Sequence, residues 1–221
     1  MVYWLIKMVL LPIFFIVFRM KIAQASAVPR RGPVILAANH QSFCDSLFIP
    51  LCVARKVTYL AKAEYFDDKR TSWFFRALGQ IPIRRGGGDE SRRALETAAE
   101  ALASGKVIAL YPEGTRSPDE FVHRGRTGVA RLALETGAPV VPVGVLGTTD
   151  VQPAGARLLR PFRPVEVRFG EPRWLTAEDV EVAGDEHKAL RAFTDALMAE
   201  ITELSERPYV DEYIAKNADS S

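Results

Sequence analysis

The chain has 221 residues, with 29 Lys and Arg against 27 Asp and Glu, for a formal net charge of +2. That length supports one domain, or one domain with an appendage, and 48% hydrophobic with 25% charged residues excludes a disordered chain. The near-neutral balance argues against a bulk nucleic-acid binder, so no nucleic-acid partner is expected. The arginines are nevertheless clustered, at Arg30-Arg31, Arg84-Arg85, Arg92-Arg93, Arg124 with Arg126, and Arg157, Arg160 and Arg163. Such groups suit local phosphate sites or an anionic membrane surface, although a solvated face explains several of them equally well. The cysteines, Cys44 and Cys52, form neither a zinc pattern nor a disulfide framework.

Residues 1–20 are strongly apolar, with an uncharged run from Met8 to Phe18 interrupted by Pro12 and bounded by Lys7 and Arg19. A spanning helix needs about 20 apolar residues, so this segment is read as an interfacial, membrane-associating helix. Trp4, Leu5, Phe14 and Phe15 are expected to face lipid, with Tyr3 and Trp4 at headgroup level. Ala25-Ser26-Ala27 resembles a signal-peptidase site, but the positive region before the apolar run is thin and Arg19 and Lys21 follow it. We expect residues 21–215 to form the folded domain and residues 216–221 a flexible tail.

A short apolar run, Val34 to Ala38, reads as a buried strand, and Ser46 to Val53 as a helix. Between them stand Asn39-His40-Gln41-Ser42-Phe43-Cys44-Asp45. On a regular helix His40 and Asp45 would lie about 140° apart, so they meet only if His40 lies in the turn and Asp45 near the helix start. A carboxylate on one ring nitrogen fixes the tautomer and leaves the other to take a proton. The alternative reading makes Asn39 or Ser42 a helix cap and His40 an ordinary turn residue. Neither Ser42 nor Ser46 has the setting of a nucleophile, and no G-x-S-x-G elbow is present.

Val57 to Ala61 reads as a strand, and Trp73, Phe74, Phe75, Ala77 and Leu78 as a short apolar helix. Trp73 and Phe74 are candidates for a second membrane-facing patch. Gln80 to Ile83 is a strand leading into Arg84-Arg85 and three glycines, and a helix then runs to Ser104, with Asp89 as a candidate cap. Lys106 to Tyr111 is a strand, Pro112 to Pro118 a loop, Thr127 to Thr136 a helix, and Val140 to Leu146 a buried strand. Residues 148–163 form a Pro/Gly/Arg-rich connection, Val165 to Phe169 a last strand nearer an edge, and His187 to Glu206 an amphipathic helix. This alternation predicts an α/β fold with a mostly parallel central sheet flanked by helices.

In such a sheet the turns after parallel strands share one edge, where ligands bind. The His40 turn, the Arg84-Arg85 turn and the Glu113 loop would all lie there. The sequence around Arg84-Arg85 has no dinucleotide or P-loop spacing, but glycines beside arginines allow close backbone approach to a phosphate. Glu113, Gly114, Thr115 and Arg116 offer N–H groups, a hydroxyl and a guanidinium to an anion. Glu113 could orient that loop or a substrate hydroxyl, and Glu113 with Arg116 also reads as a structural ion pair.

Four ordered blocks resemble the glycerolipid acyltransferases, in particular 1-acylglycerol-3-phosphate acyltransferases. They are Asn39 to Asp45 (N-H-x-x-x-x-D), Gly79 to Arg85 (G-x-[IV]-x-[IV]-x-R), Tyr111 to Ser117 ([FY]-P-E-G-[TS]-R-S) and Val140 to Gly144, spread over roughly residues 20–170. Two departures stand out. Arg84 occupies a position that is often acidic, and arginines at 124 and 126 stand where lysines are common. The resemblance implies His40 as general base, oriented by Asp45, and Arg84, Arg85 and the 113–116 loop as the acceptor-phosphate site. It implies acyl-CoA or acyl carrier protein as thioester co-substrate, a lysophospholipid acceptor, membrane lipids as surroundings, and no cofactor or metal. The expected location is the cytoplasmic face of the cell membrane, peripheral or monotopic. The expected reaction acylates lysophosphatidic acid to phosphatidic acid. Alternatives are the same chemistry on glycerol 3-phosphate or another lysophospholipid, a thioester hydrolase, or a non-catalytic lipid-binding protein.

Overall fold

The computed structural model describes residues 2–83, 90–156 and 158–215. In chain order the elements are α1 (Val2–Val17), β1 (Lys21–Ala23), β2 (Val34–Ala38), α2 (Asp45–Cys52), β3 (Val57–Lys62), α3 (Glu64–Asp67), α4 (Lys69–Leu78), β4 (Ile81–Ile83), α5 (Glu90–Ala103), β5 (Val107–Leu110), β6 (Val122–His123), α6 (Gly128–Thr136), β7 (Val140–Leu146), α7 (Thr148–Val151), β8 (Glu166–Phe169), α8 (Ala177–Ala183), α9 (Glu186–Ser205) and β9 (Tyr209–Val210). Among the described residues, one sheet has the strand order β1-β8-β7-β2-β5-β3-β4, and β6 pairs with β9 in a small second one. Strands β7, β2, β5, β3 and β4 run parallel, while β8 is antiparallel to β7 and parallel to β1. The α/β architecture is therefore the one the alternation predicts. The short β1, not recognised from the sequence, covers the edge on which Val165–Phe169 was expected to lie.

Strand β2 is central and is buried at every residue. Its pleat divides it between two cores. Val34, Leu36 and Ala38 join Phe14, Phe18, Phe48 and Ile49 on the α1/α2 face. Ile35 and Ala37 join Leu102, Leu132, Leu197 and Ile201 on the α5/α6/α9 face. Burial on both faces explains the unbroken apolar run. At β7 helix α9 approaches so closely that a Cβ on Gly144 would lie 2.4 Å from the Leu204 carbonyl carbon, so only glycine fits there.

Helix α1 continues through Pro12. It lies against α2, and its inward stripe includes Tyr3, Lys7, Leu10, Phe14 and Val17, spaced by three and four. The Phe14 ring is 5.0 Å from both the Phe18 and Phe48 rings, at tilted angles. Tyr3 and Phe14, expected at the membrane, are instead core: the Tyr3 hydroxyl accepts from Val57 N–H at 3.2 Å and Phe14 packs on Phe18 and Phe48, while a helix apolar on all sides gives the sequence no phase from which to read this. Trp4, Leu5 and Phe15 are exposed, as are Met8, Val9, Ile13 and Ile16. Lys7 turns inward: its Nζ donates to the Pro50 carbonyl at 2.6 Å and to that of Val53, capping the end of α2. Burial holds this amine down at about 8. No helix among the described residues is long and apolar enough to cross a membrane.

The adjacent pair Phe14 and Phe15 separates core from surface. Phe14→Ala is expected to lower the unfolding free energy by about 3 kcal/mol, and Phe15→Ala to change it by no more than about 0.5 kcal/mol. Urea unfolding in mild detergent, followed by tryptophan fluorescence, measures both.

Candidate active site

The site is built at the carboxyl ends of β2 and β5, which are neighbours in the sheet. Asn39, just past β2, neither caps a helix nor faces solvent. Its side chain mimics a backbone pair with β7: Nδ2 donates to the Val145 carbonyl at 3.0 Å, and Oδ1 accepts from Val145 N–H at 2.8 Å. This fixes where the chain leaves the sheet. Ser42 is not a cap either, since its hydroxyl donates to the Gln152 carbonyl at 2.8 Å.

Asp45 opens α2 and is fully buried. Its Oδ2 accepts from Gln41 N–H at 2.8 Å and Ser42 N–H at 2.9 Å, and lies 3.0 Å from His40 Nδ1. An oxygen already accepting two amide protons is matched by a third donor, so Nδ1 carries the ring proton and Nε2 is the basic nitrogen. The His40 side chain is 15% exposed, enough for one edge to meet a solute. Its ring stacks on Tyr111 at 3.7 Å and 8°. The Tyr111 hydroxyl pairs with Ser46 Oγ at 2.7 Å, and burial drives the phenol well above its ordinary value, so it stays neutral. Ser46 is thus engaged, and burial pushes the Cys44 thiol up to about 12, which leaves neither as a nucleophile.

Glu113 corrects one expectation. It is 1% exposed and lies beneath the site, not in a position to touch a substrate phosphate. Its Oε1 accepts from His40 N–H at 2.9 Å and its Oε2 from His123 N–H at 3.0 Å. Ser117 N–H donates back to the His40 carbonyl at 2.7 Å. The loop after β5 therefore holds both backbone polar groups of His40, which is the orienting role among those the sequence left open. Gly114, at φ +85°, lets the loop turn outward, and the Arg126 side chain crosses it so closely that a Cβ would lie 3.2 Å from Nε. Thr115 is half-buried and Arg116 is exposed on the same loop. Arg84 and Arg85 lie outside the described residues. Strand β4, which leads to them, is three strands from β2, about 14 Å at ordinary strand spacing. Trp73 is exposed on α4, and the Phe74 side chain lies outside what is described.

Two features escaped the sequence reading. His123 pairs through Nε2 with Asp119 at 3.0 Å, but its Nδ1 is buried, so it offers no free basic nitrogen. Residues 207–215 return across the site loop through β9. Val122 N–H donates to Pro208, Arg124 N–H to Glu212, and Arg126 Nη2 to the Ile214 carbonyl. The guanidinium carbons of Arg124 and Arg126 each lie 5.2 Å from the Tyr213 ring centroid. Nothing local in the sequence links Tyr213 to a loop about 90 residues earlier.

Burial raises the Glu113 carboxyl to about 7, against the pull of the His123 and His40 amides. Between its ordinary 4.5 and about 7 the folded state binds the proton more tightly than the unfolded state. This group's contribution to stability therefore declines as pH rises through that window. Two full acceptors need the carboxylate, so the bridge is complete above about 7, and the amide that faces the protonated oxygen loses strength as pH falls through it. Infrared titration is expected to show a protonated-carboxyl band growing as pH drops through about 7, absent from Glu113→Gln.

Comparison with known proteins bears on this geometry. The acyltransferase family model matches residues 19–146. A chloroplastic 1-acyl-sn-glycerol-3-phosphate acyltransferase of Brassica napus is 27% identical over 67% of this chain and 43% of its own length. A lyso-ornithine lipid O-acyltransferase of Pseudomonas aeruginosa is 36% identical over 56% of this chain and 46% of its own length. The chain spans about two fifths of the length of the plant and algal relatives it matches. The crystal structure of the 1-acyl-sn-glycerophosphate acyltransferase from Thermotoga maritima superposes with a TM-score of 0.64 at 28% identity, covering 85% of this chain and 73% of that one. With the family model spanning more than half of the chain and both its His40 turn and its Glu113 loop, the protein belongs to the acyltransferase family.

Proposed function

We propose that this protein transfers a fatty acyl group from a thioester, acyl-CoA or acyl carrier protein, to the free hydroxyl of lysophosphatidic acid. The observation that carries the reading is the His40 Nδ1 contact with buried Asp45, which leaves Nε2 on the exposed edge of a ring fixed from below by Tyr111. His40 Nε2 takes the proton of the acceptor hydroxyl as its oxygen bonds to the acyl carbon. The C–S bond then breaks, and the proton passes from the imidazolium to the departing thiolate. General-base help of this kind is worth about 10²–10⁴-fold. The thioester is already an activated group, so the reaction draws on no cofactor or metal.

The acceptor phosphate would meet the Gly114-Thr115-Arg116 loop, with Arg84 and Arg85 as further candidates. Exposed apolar residues on α1, with Trp73 on α4, would rest in the membrane that holds both lipids. The cytoplasmic face is the side on which either thioester would be met. The names of the Brassica napus and Thermotoga maritima proteins support lysophosphatidic acid as acceptor. The Pseudomonas aeruginosa relative, whose name specifies a lyso-ornithine lipid, supports a second reading with the same chemistry on another lysolipid.

CoA release from palmitoyl-CoA in detergent micelles, with and without lysophosphatidic acid, tests this. Release is expected to require the acceptor and to fall by at least about 10²-fold in His40→Ala. Release without acceptor would instead indicate a hydrolase. Asp45→Asn is expected to lower kcat by about 10³-fold or more with little change in acceptor KM, because a neutral amide no longer stabilises the imidazolium that forms and, if it turns its NH2 to Nδ1, enforces the wrong tautomer.

A further inference from the structure

The connection between α7 and β8 has an organisation that the reaction itself does not use. From Val151 to Val165 it contains no acidic residue and three arginines. Leu159 turns inward onto the α1/α2 core, while Leu158 is 82% exposed and Phe162 66%. Phe162 has φ +62°, a strained conformation for an aromatic residue. The segment is nonetheless pinned: Phe162 N–H donates to the Val17 carbonyl at the end of α1, Val165 N–H to Phe18, and Arg160 N–H to Val151. The exposed Phe162 is thus tied to the end of α1 that carries the exposed Ile16. Arg160 and Arg163 are exposed on the segment, and Arg19 on the chain just past α1. Its other end reaches the catalytic turn, where Gln152 accepts from Ser42 and donates through Nε2 to the Ala156 carbonyl.

We propose that residues 158–163 are a second lipid-contacting element, seating Leu158 and Phe162 in the bilayer beside α1 while Arg160 and Arg163 meet anionic headgroups. The inference deepens the membrane reading above and rests on it. Apolar side chains flanked by cations, continuous with an apolar helix face, match a bilayer surface in both chemistry and charge. Gln152, earlier in the same connection, is bonded to Ser42, so this seating would also bear on the height of His40 over the lipid surface.

The test uses the full chain and vesicles of phosphatidylcholine with or without phosphatidylglycerol, read by co-flotation. Leu158→Ser with Phe162→Asn is expected to lower partitioning about tenfold. Asparagine tolerates the positive φ, so folding is retained and is checked by thermal unfolding. Arg160→Gln and Arg163→Gln are each expected to lower it about fivefold on mixed vesicles and not on phosphatidylcholine alone. Val182→Ser, equally exposed but on α8, which packs on α9, serves as the control and is expected to change nothing. Wild-type protein that fails to partition would overturn the membrane reading and this inference together. Wild type and loop variants partitioning alike would overturn the inference alone. So would a loop variant that changes oligomeric state with unchanged partitioning, which would assign the patch to a second copy of the chain.

Discussion

One buried carboxylate oxygen governs the His40 turn. Taking a carboxylate out of water is costly unless its lone pairs are met. Asp45 meets that demand at one oxygen: Oδ2 collects Gln41 N–H, Ser42 N–H and the His40 ring nitrogen, while Oδ1 is buried without a hydrogen-bond partner among the described residues. The turn therefore has its shape because the carboxylate needs those donors, and His40 has its tautomer for the same reason. Folding of the segment and orientation of the His40 ring are a single interaction. Glu113 repeats the device from the other side, holding the His40 and His123 amides with its two oxygens.

Helix α2 is charge-matched at both ends. Asp45 lies in its first turn, and the Lys7 ammonium caps its last carbonyls, each at the end that the helix dipole favours. The cation comes from α1. The apolar helix is thus not an appendage attached beside a finished domain. It supplies one wall of the core through Phe14 and the terminal cap of the helix that opens with Asp45.

Much of this was legible in the sequence because it is local. The His40–Asp45 turn and the Val140–Leu146 strand rest on neighbouring residues and on runs that burial on both faces makes unmistakable. Phe14 was misplaced because an all-apolar helix carries no phase. Glu113 was placed against substrate because its partners, two backbone amides 73 and 10 residues away, leave no mark on side-chain pattern. The Tyr111 stack, the Lys7 cap and the Tyr213 clamp are likewise long-range contacts between residue types that are ordinary in themselves. The short β1 and the polar α8 are too brief to show a period.

The position of β2 also bears on how the chain acquires its fold. Its five residues are fully apolar, and its partners β5 and β7 begin about 70 and 100 residues after it ends. At about 5–20 residues per second of synthesis, the strand waits several seconds or more for both neighbours. Parallel pairing over such separations is slow and leaves apolar edges open meanwhile. During that interval the N-terminal helix has already emerged. If it rests in a bilayer as proposed above, a nascent chain held there would have fewer encounters with other unpaired strands, and the order of elements along the sequence would limit aggregation before the sheet closes.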